Sequence, residues 1–175
     1  MSLYDIITLL GFGFGSALTI ILLSLSLQKK SKRYDDYAFG VVLIAVLLWN
    51  AGNFLSLLLN WLFGSVAEPI SLGMLGLGYF GLVAMPSSTL HVHLAIYFRS
   101  LHQEKRLTRK NAAIFASSYL PLALFLPIAA SAIRLENPPS YGIGSELAQL
   151  FSVWVLLAIF MSILISERLL KNLRT

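Results

Sequence analysis

Two short polar segments interrupt an otherwise apolar chain, and they hold most of its chemically capable side chains. The first is Met85-Pro86-Ser87-Ser88-Thr89-Leu90-His91-Val92-His93. Tyr97 and Arg99 follow it and mark an interface, so both imidazoles lie several residues inside the apolar run. Ionisable side chains at such depth are rare and point to function by default. Residues at i and i+2 sit about 200° apart around a helix. The two rings therefore cannot hold one ion from a straight helix. One reading makes His91 or His93 an axial ligand to haem or to a chlorophyll-type metal, or a proton-sensitive switch. The other makes each a neutral ring hydrogen-bonded to a neighbouring helix. No second ligand stands at a useful spacing, so no protein-built metal site is expected. Pro86 removes a backbone donor and should kink its helix. Ser87, Ser88 and Thr89 can re-satisfy the carbonyls this frees. His102 falls in a charged loop.

The second segment is Trp49-Asn50-Ala51-Gly52-Asn53-Phe54, with Asn60 seven residues after Asn53. At helical spacing the three asparagines share one face. An amide in hydrocarbon needs partners, so this face should point into a bundle, and Gly52 lets a neighbour approach closely. Either the amides line a small polar pocket completed by the Ser87 to His93 segment, or they fix helix packing. In the pocket reading Asn50 and Asn53 bond a ligand, Trp49 stacks on it, and His91 or His93 is the switch or ligand.

The remaining motifs carry less. Gly11 and Gly15 form a GxxxG pair suited to close helix contact. Gly76-Leu77-Gly78-Tyr79-Phe80-Gly81 matches GxGxxG, but the dinucleotide fingerprint needs a preceding strand and a βαβ unit. Here the glycines sit inside an apolar helical run. HExxH, GxSxG and the P-loop are absent, and so is cysteine. No acid falls in the middle of an apolar run, which disfavours a proton pump or ion-coupled transporter. The pattern offers no catalytic constellation, and the reading is non-enzymatic.

These residues need helices to position them, and the composition says which kind. Of the 175 residues 57% are hydrophobic and 12% charged, and mean hydropathy is +0.77. A soluble domain carries about 25% charged residues. A soluble globular enzyme and a disordered chain are thereby excluded. A bilayer core of about 30 Å needs about 20 apolar residues in a helix. Five runs qualify, near 4–27, 37–63, 71–98, 111–133 and 146–170. The expected fold is all-α, a polytopic membrane protein built as a bundle of five transmembrane helices in one domain. The first run lacks the basic start of a signal peptide and reads as a retained helix. Glu68-Pro69 is expected to break the chain between the second and third runs, and Ser145 to cap the fifth.

Charge sets the orientation. Lys29, Lys30, Lys32 and Arg33 follow the first run, and Arg99, Lys105, Arg106, Arg109 and Lys110 follow the third. Arg168, Lys171 and Arg174 follow the fifth, and only Arg134 lies elsewhere. The positive-inside rule makes that side cytoplasmic, with the N-terminus outside, the C-terminus in the cytoplasm, and the chain multi-pass in the cell inner membrane. The net charge of +5 is thus accounted for by the bilayer, without nucleic acid.

Leu48-Trp49-Asn50-Ala51-Gly52-Asn53-Phe54 together with Met85-Pro86 to His93 resembles the multi-helix N-terminal membrane region of bacterial sensor histidine kinases. The resemblance implies an input and anchoring module. The 175 residues contain no phosphoacceptor helix or ATPase domain, so it implies a module that acts through a partner protein. The expected function is a sensor-like or scaffolding membrane module working by helix–helix contact with a partner in the membrane or cytoplasm. The alternative is a small accessory subunit of a respiratory or photosynthetic membrane complex, binding haem, a chlorophyll-type pigment, carotenoid or lipid. A small transporter or channel ranks last.

Overall fold

The computed structural model describes residues 3–30, 33–101, 109–123 and 143–174, and every regular element among them is helical. In chain order these are α1 (Leu3–Gln28), α2 (Tyr34–Phe63), a 3₁₀ turn (Gly64–Ala67), α3 (Glu68–Ser100), α4 (Arg109–Ser118) and α5 (Ile143–Arg174). Among the described residues four helices are long and apolar enough to cross a membrane: α1, α2, α3 and the Gln149–Lys171 stretch of α5. Ala113–Ala123 is a shorter apolar helix. The fourth expected span, 111–133, is therefore seen only to residue 123. Positions 124–133 with Pro127, Arg134, Glu136, the Asn137-Pro138-Pro139 turn, Lys32, His102, Lys105 and Arg106 lie outside the described residues.

Local chemistry explains the helix ends. Asp36 in the first turn of α2 accepts a hydrogen bond from the Arg33 N–H at 2.8 Å. With Asp35 it also puts negative charge at a helix N-terminus. This extends α2 three residues ahead of its expected start. Gly64 ends α2 at φ 56°, a left-handed conformation that glycine adopts without strain, and its N–H donates to the Asn60 carbonyl. The chain thus turns at Gly64–Ala67. Glu68-Pro69, expected to be the break, instead opens α3, because the first turn of a helix needs no N–H from proline. Ser145 likewise lies inside the first turn of α5 rather than at its cap. At Pro121 the opposite applies. Its missing N–H interrupts the helical ladder, and three-residue bonds take over, Tyr119 N–H to Ala116 O at 3.1 Å and Leu122 N–H to Tyr119 O at 3.0 Å.

Packing inverts the pattern of a soluble protein. Large apolar side chains such as Leu10, Phe14, Ile21, Leu156 and Phe160 face outward. The buried positions of α1 to α3 are largely small or hydroxylic, among them Ser16, Thr19, Ala45, Gly52, Ser56, Ser71, Gly78, Gly81, Ser87 and Ser88. Small residues let helix backbones meet where hydrocarbon surrounds the outside. This arrangement fits a membrane helix bundle. A β-carbon added at Gly81 would stand 2.5 Å from the Ala45 carbonyl and 2.5 Å from the Trp49 nitrogen. One added at Gly52 would stand 2.5 Å from the Gly78 nitrogen and from the Met74 carbonyl. α2 and α3 therefore pack backbone against backbone, and Ser56 and Ser71 join their hydroxyls across the turn end at 2.9 Å.

The other end of the bundle is charged. Lys29 at the exit of α1 pairs with Asp36 at 2.7 Å, and Arg99 near the end of α3 pairs with Asp35 at 2.6 Å. The end of α1, the start of α2 and the end of α3 are thereby gathered together. α5 packs on α3 and runs on as a helix to Arg174, with Lys171 and Glu167 paired at 2.8 Å along it.

Candidate functional site

The two histidines of α3 face different neighbours. His91 joins three helices. Its Nε2 is 2.8 Å from the Tyr34 hydroxyl at the start of α2, and its Nδ1 is 2.7 Å from the Tyr119 hydroxyl just beyond α4. Phe115 of α4 packs on the imidazole at 4.7 Å between centroids, and on the Tyr34 ring at 5.1 Å. Phe98 closes against Phe115 at 5.6 Å. Ala38, Ala95 and Phe115 form a buried apolar cluster around this aromatic group.

The hydrogen-bond directions in this group depend on the tautomer and protonation of the ring. A neutral imidazole has one N–H and one bare nitrogen. One tyrosine must then accept from the ring while the other donates to it. An imidazolium donates from both nitrogens, so the donating tyrosine must turn its proton elsewhere. A tautomer exchange reverses which tyrosine donates. Since both ring nitrogens are engaged, His91 could bind a metal only by giving up one tyrosine.

His93 lies beside α5. Its Nδ1–H donates to the Thr89 carbonyl at 2.8 Å, because a carbonyl can only accept. That leaves Nε2 as the acceptor of the neutral ring. His93 lines a cavity of about 590 Å³ between α3 and α5. Met85, Pro86 and Thr89 of α3 line it too, with Val155, Ala158, Ile159, Ser162, Ser166 and Glu167 among the α5 contributors. The walls are mostly hydrocarbon.

The asparagine segment sits elsewhere, in the seam where α1 and α3 meet α2. Asn50 Nδ2 donates to the Val46 carbonyl at 2.9 Å, and Asn53 Nδ2 donates to the Trp49 carbonyl at 2.7 Å. Each amide answers a carbonyl four residues back in its own helix. A β-carbon on Gly15 would run into the Asn50 amide, and one on Gly78 would lie 2.8 Å from Asn53 Nδ2. Trp49 packs edge-on between Phe12 of α1 at 5.8 Å and Tyr79 of α3 at 6.4 Å. The structure does not bring Trp49, Asn50 and Asn53 together with His93 around the cavity; none of the three lines it. Asn60 is exposed.

The serines around Pro86 divide the roles expected of them. Ser88 Oγ donates to the Ala84 and Met85 carbonyls at 2.9 and 3.0 Å. Ser87 Oγ is fully buried and has no hydrogen-bond partner among the described residues. α3 continues as one helix through Pro86.

Tyr34, Phe115, Tyr119 and the α5 wall were not singled out by sequence reasoning. Tyr34 sits directly after the basic run and Tyr119 two residues before Pro121, positions where an amphipathic ring meets an interface or a break. That signal marks such residues as noteworthy without saying which histidine they meet. Among the described residues no group of three or more His, Asp or Glu side chains could hold a metal ion. Compared with protein-family models, curated proteins and solved structures, the chain matches none.

Proposed function

We propose that this chain is a non-enzymatic, sensor-like membrane module. In this reading it spans the cell inner membrane with its N-terminus outside and its C-terminus in the cytoplasm, and it works through helix contact with a protein partner. The observation that carries the reading is the His91 group. One side chain holds α2, α3 and the α4 region by two hydrogen bonds whose directions depend on its protonation. A module of this kind needs an element with two arrangements that a signal can bias. Lys29, Arg33 and Arg99 lie at the same end of the bundle as this group, which supports a cytoplasmic location for it.

The test is movement. The chain has no cysteine, so a pair of spin labels can be introduced in one molecule by Phe39→Cys on α2 and Ile114→Cys at α4, both exposed positions. The label separation is measured in proteoliposomes at about pH 5 and about pH 8, the range in which histidine changes charge. The separation should shift by about 1–2 Å or more, the scale of helix displacements in switching proteins. The Asp35–Arg99 and Asp36–Lys29 pairs at the same end also carry charge, so the measurement is repeated with His91→Gln. A shift that persists in His91→Gln, or no shift in the parent chain, sinks the reading.

A second reading is favoured by one observation at His93. A histidine whose Nδ1–H is held by a backbone carbonyl presents Nε2 for ligation. An accessory subunit holding a haem or chlorophyll-type pigment would use His93 rather than His91. An absorption band in gently purified protein that disappears in His93→Ala would favour it.

A further inference from the structure

We infer that the cavity between α3 and α5 binds one neutral amphiphile drawn from the bilayer, an acyl chain bearing a hydroxyl head. The inference stands without the signalling reading. The cavity volume of about 590 Å³ falls within the roughly 300–1,000 Å³ of small-molecule sites. Its α5 rim carries Ile159, Ile163 and Leu170, which are exposed on the apolar outside of the bundle. The cavity therefore opens toward the surface that fits lipid.

Two polar groups in the wall specify the head. His93 has its Nδ1–H committed to the Thr89 carbonyl, so its neutral ring offers the cavity an acceptor. A ligand satisfies this by donating a proton. Ser162 is 7% exposed, and its hydroxyl has no hydrogen-bond partner among the described residues. That sets it apart from Ser16, Thr19, Ser88 and Ser166, each of which returns its hydroxyl to the carbonyl four residues back. A buried hydroxyl left without a partner loses free energy that a ligand can restore. A hydroxyl head supplies the donor His93 lacks and the acceptor Ser162 lacks.

Charge disfavours anionic ligands. Among the described residues no Lys or Arg lines the cavity, and the one charged lining residue is acidic, Glu167. Its carboxylate is already paired with Lys171 at 2.8 Å. A fatty acid anion, a phosphate head or the propionates of a haem would meet the Glu167 carboxylate in the wall, and the cation beside it, Lys171, is already paired with that carboxylate. A purely hydrocarbon ligand would leave both polar groups unmet.

The experiment uses the full chain in phosphatidylcholine nanodiscs with a long-chain primary alcohol carrying a photoreactive diazirine in its tail. Crosslinks should map to α3 around Met85 and to α5 around Ile159. Unlabelled hexadecanol should compete, whereas hexadecane, and palmitate at about pH 8, should not. Ser162→Ala should weaken labelling about fivefold, the loss expected for one hydrogen bond, while leaving the thermal unfolding midpoint of the ligand-free protein nearly unchanged. Ala158→Phe keeps both polar groups but fills the cavity, and should abolish labelling. Crosslinks spread evenly over the exposed face of α1, equal competition by palmitate, a haem absorption band dependent on His93, or undiminished labelling in a folded Ala158→Phe variant would each overturn the inference.

Discussion

Along α2, Asn50 and Asn53 turn their amides back to their own helix; along α3, His91 reaches out to two others. Both segments put polar atoms among apolar helices. In the seam the side-chain hydrogen bonds of the asparagines stay local, and proximity between helices comes from glycines that bring backbones together. Around His91 the helices touch through aromatic rings and long polar side chains, and the hydrogen bonds cross between elements. A contact made by backbones has one arrangement. A contact made by an imidazole between two hydroxyls allows several hydrogen-bond arrangements. The seam is thus suited to fixing the bundle, and the histidine group to changing it.

The largest effect should come from breaking the seam. Gly81→Val places a branched side chain where even one carbon would overlap the Ala45 carbonyl and the Trp49 nitrogen. Neither backbone atom can move aside without displacing a helix. The cost should reach about 3 kcal/mol, the upper end for overpacking. It is measurable as a lowered unfolding midpoint in mixed micelles. A Gly81→Val protein as stable as the parent would mean that α2 and α3 do not meet in this register.

A smaller effect is expected at the histidine group, and its signature is coupling. His91→Phe keeps the ring packing against Phe115 but leaves the hydroxyls of Tyr34 and Tyr119 without the imidazole. The loss should be about 1–2 kcal/mol, since Tyr34 is 38% exposed and partly solvated. Tyr119→Phe should cost much less in a His91→Phe background than in the parent, giving an interaction of about 1 kcal/mol. Asn53→Ala, by contrast, should cost no more than about 0.6 kcal/mol, because its amide serves only its own helix. Equal losses at His91 and Asn53 would erase the distinction between the two regions.

The sequence made the helices legible because hydropathy is a property of each run alone. α1, α2, α3 and α5 contain their expected spans and, except at Phe63 where α2 ends as expected, exceed them by one to four residues, where Asp36, the Glu68-Pro69 start and the Glu167–Lys171 pair carry helix beyond the apolar stretch. The roughly 200° between His91 and His93 was also readable, and the rings do face different elements. What was not readable was the identity of those elements. Tyr34 and Tyr119 are 57 and 28 residues from His91, and nothing in a linear pattern says which helices become neighbours. The asparagines illustrate the converse. That Asn50 and Asn53 point into the bundle was legible, but Asn60, expected on the same face, is exposed at the end of α2, and the choice between a ligand and a carbonyl four residues back is made by side-chain rotamers.

The smallest predicted effect sharpens the comparison within the seam itself. Gly11 and Gly15 are identical in residue type and form a GxxxG pair, yet their surroundings differ. A β-carbon at Gly11 meets nothing within 4 Å, whereas one at Gly15 meets the Asn50 amide. Replacing an open helical glycine by alanine removes backbone freedom from the unfolded chain, so Gly11→Ala should stabilise α1 by about 0.5 kcal/mol. Gly15→Ala gains the same term but must push Asn50 aside, breaking its bond to the Val46 carbonyl. Its net effect should therefore have the opposite sign, or at most vanish. Paired unfolding titrations of the two variants read the difference directly. Equal stabilisation by both would mean that α1 does not lie against Asn50, and that the polar face of α2 is turned toward something other than this helix.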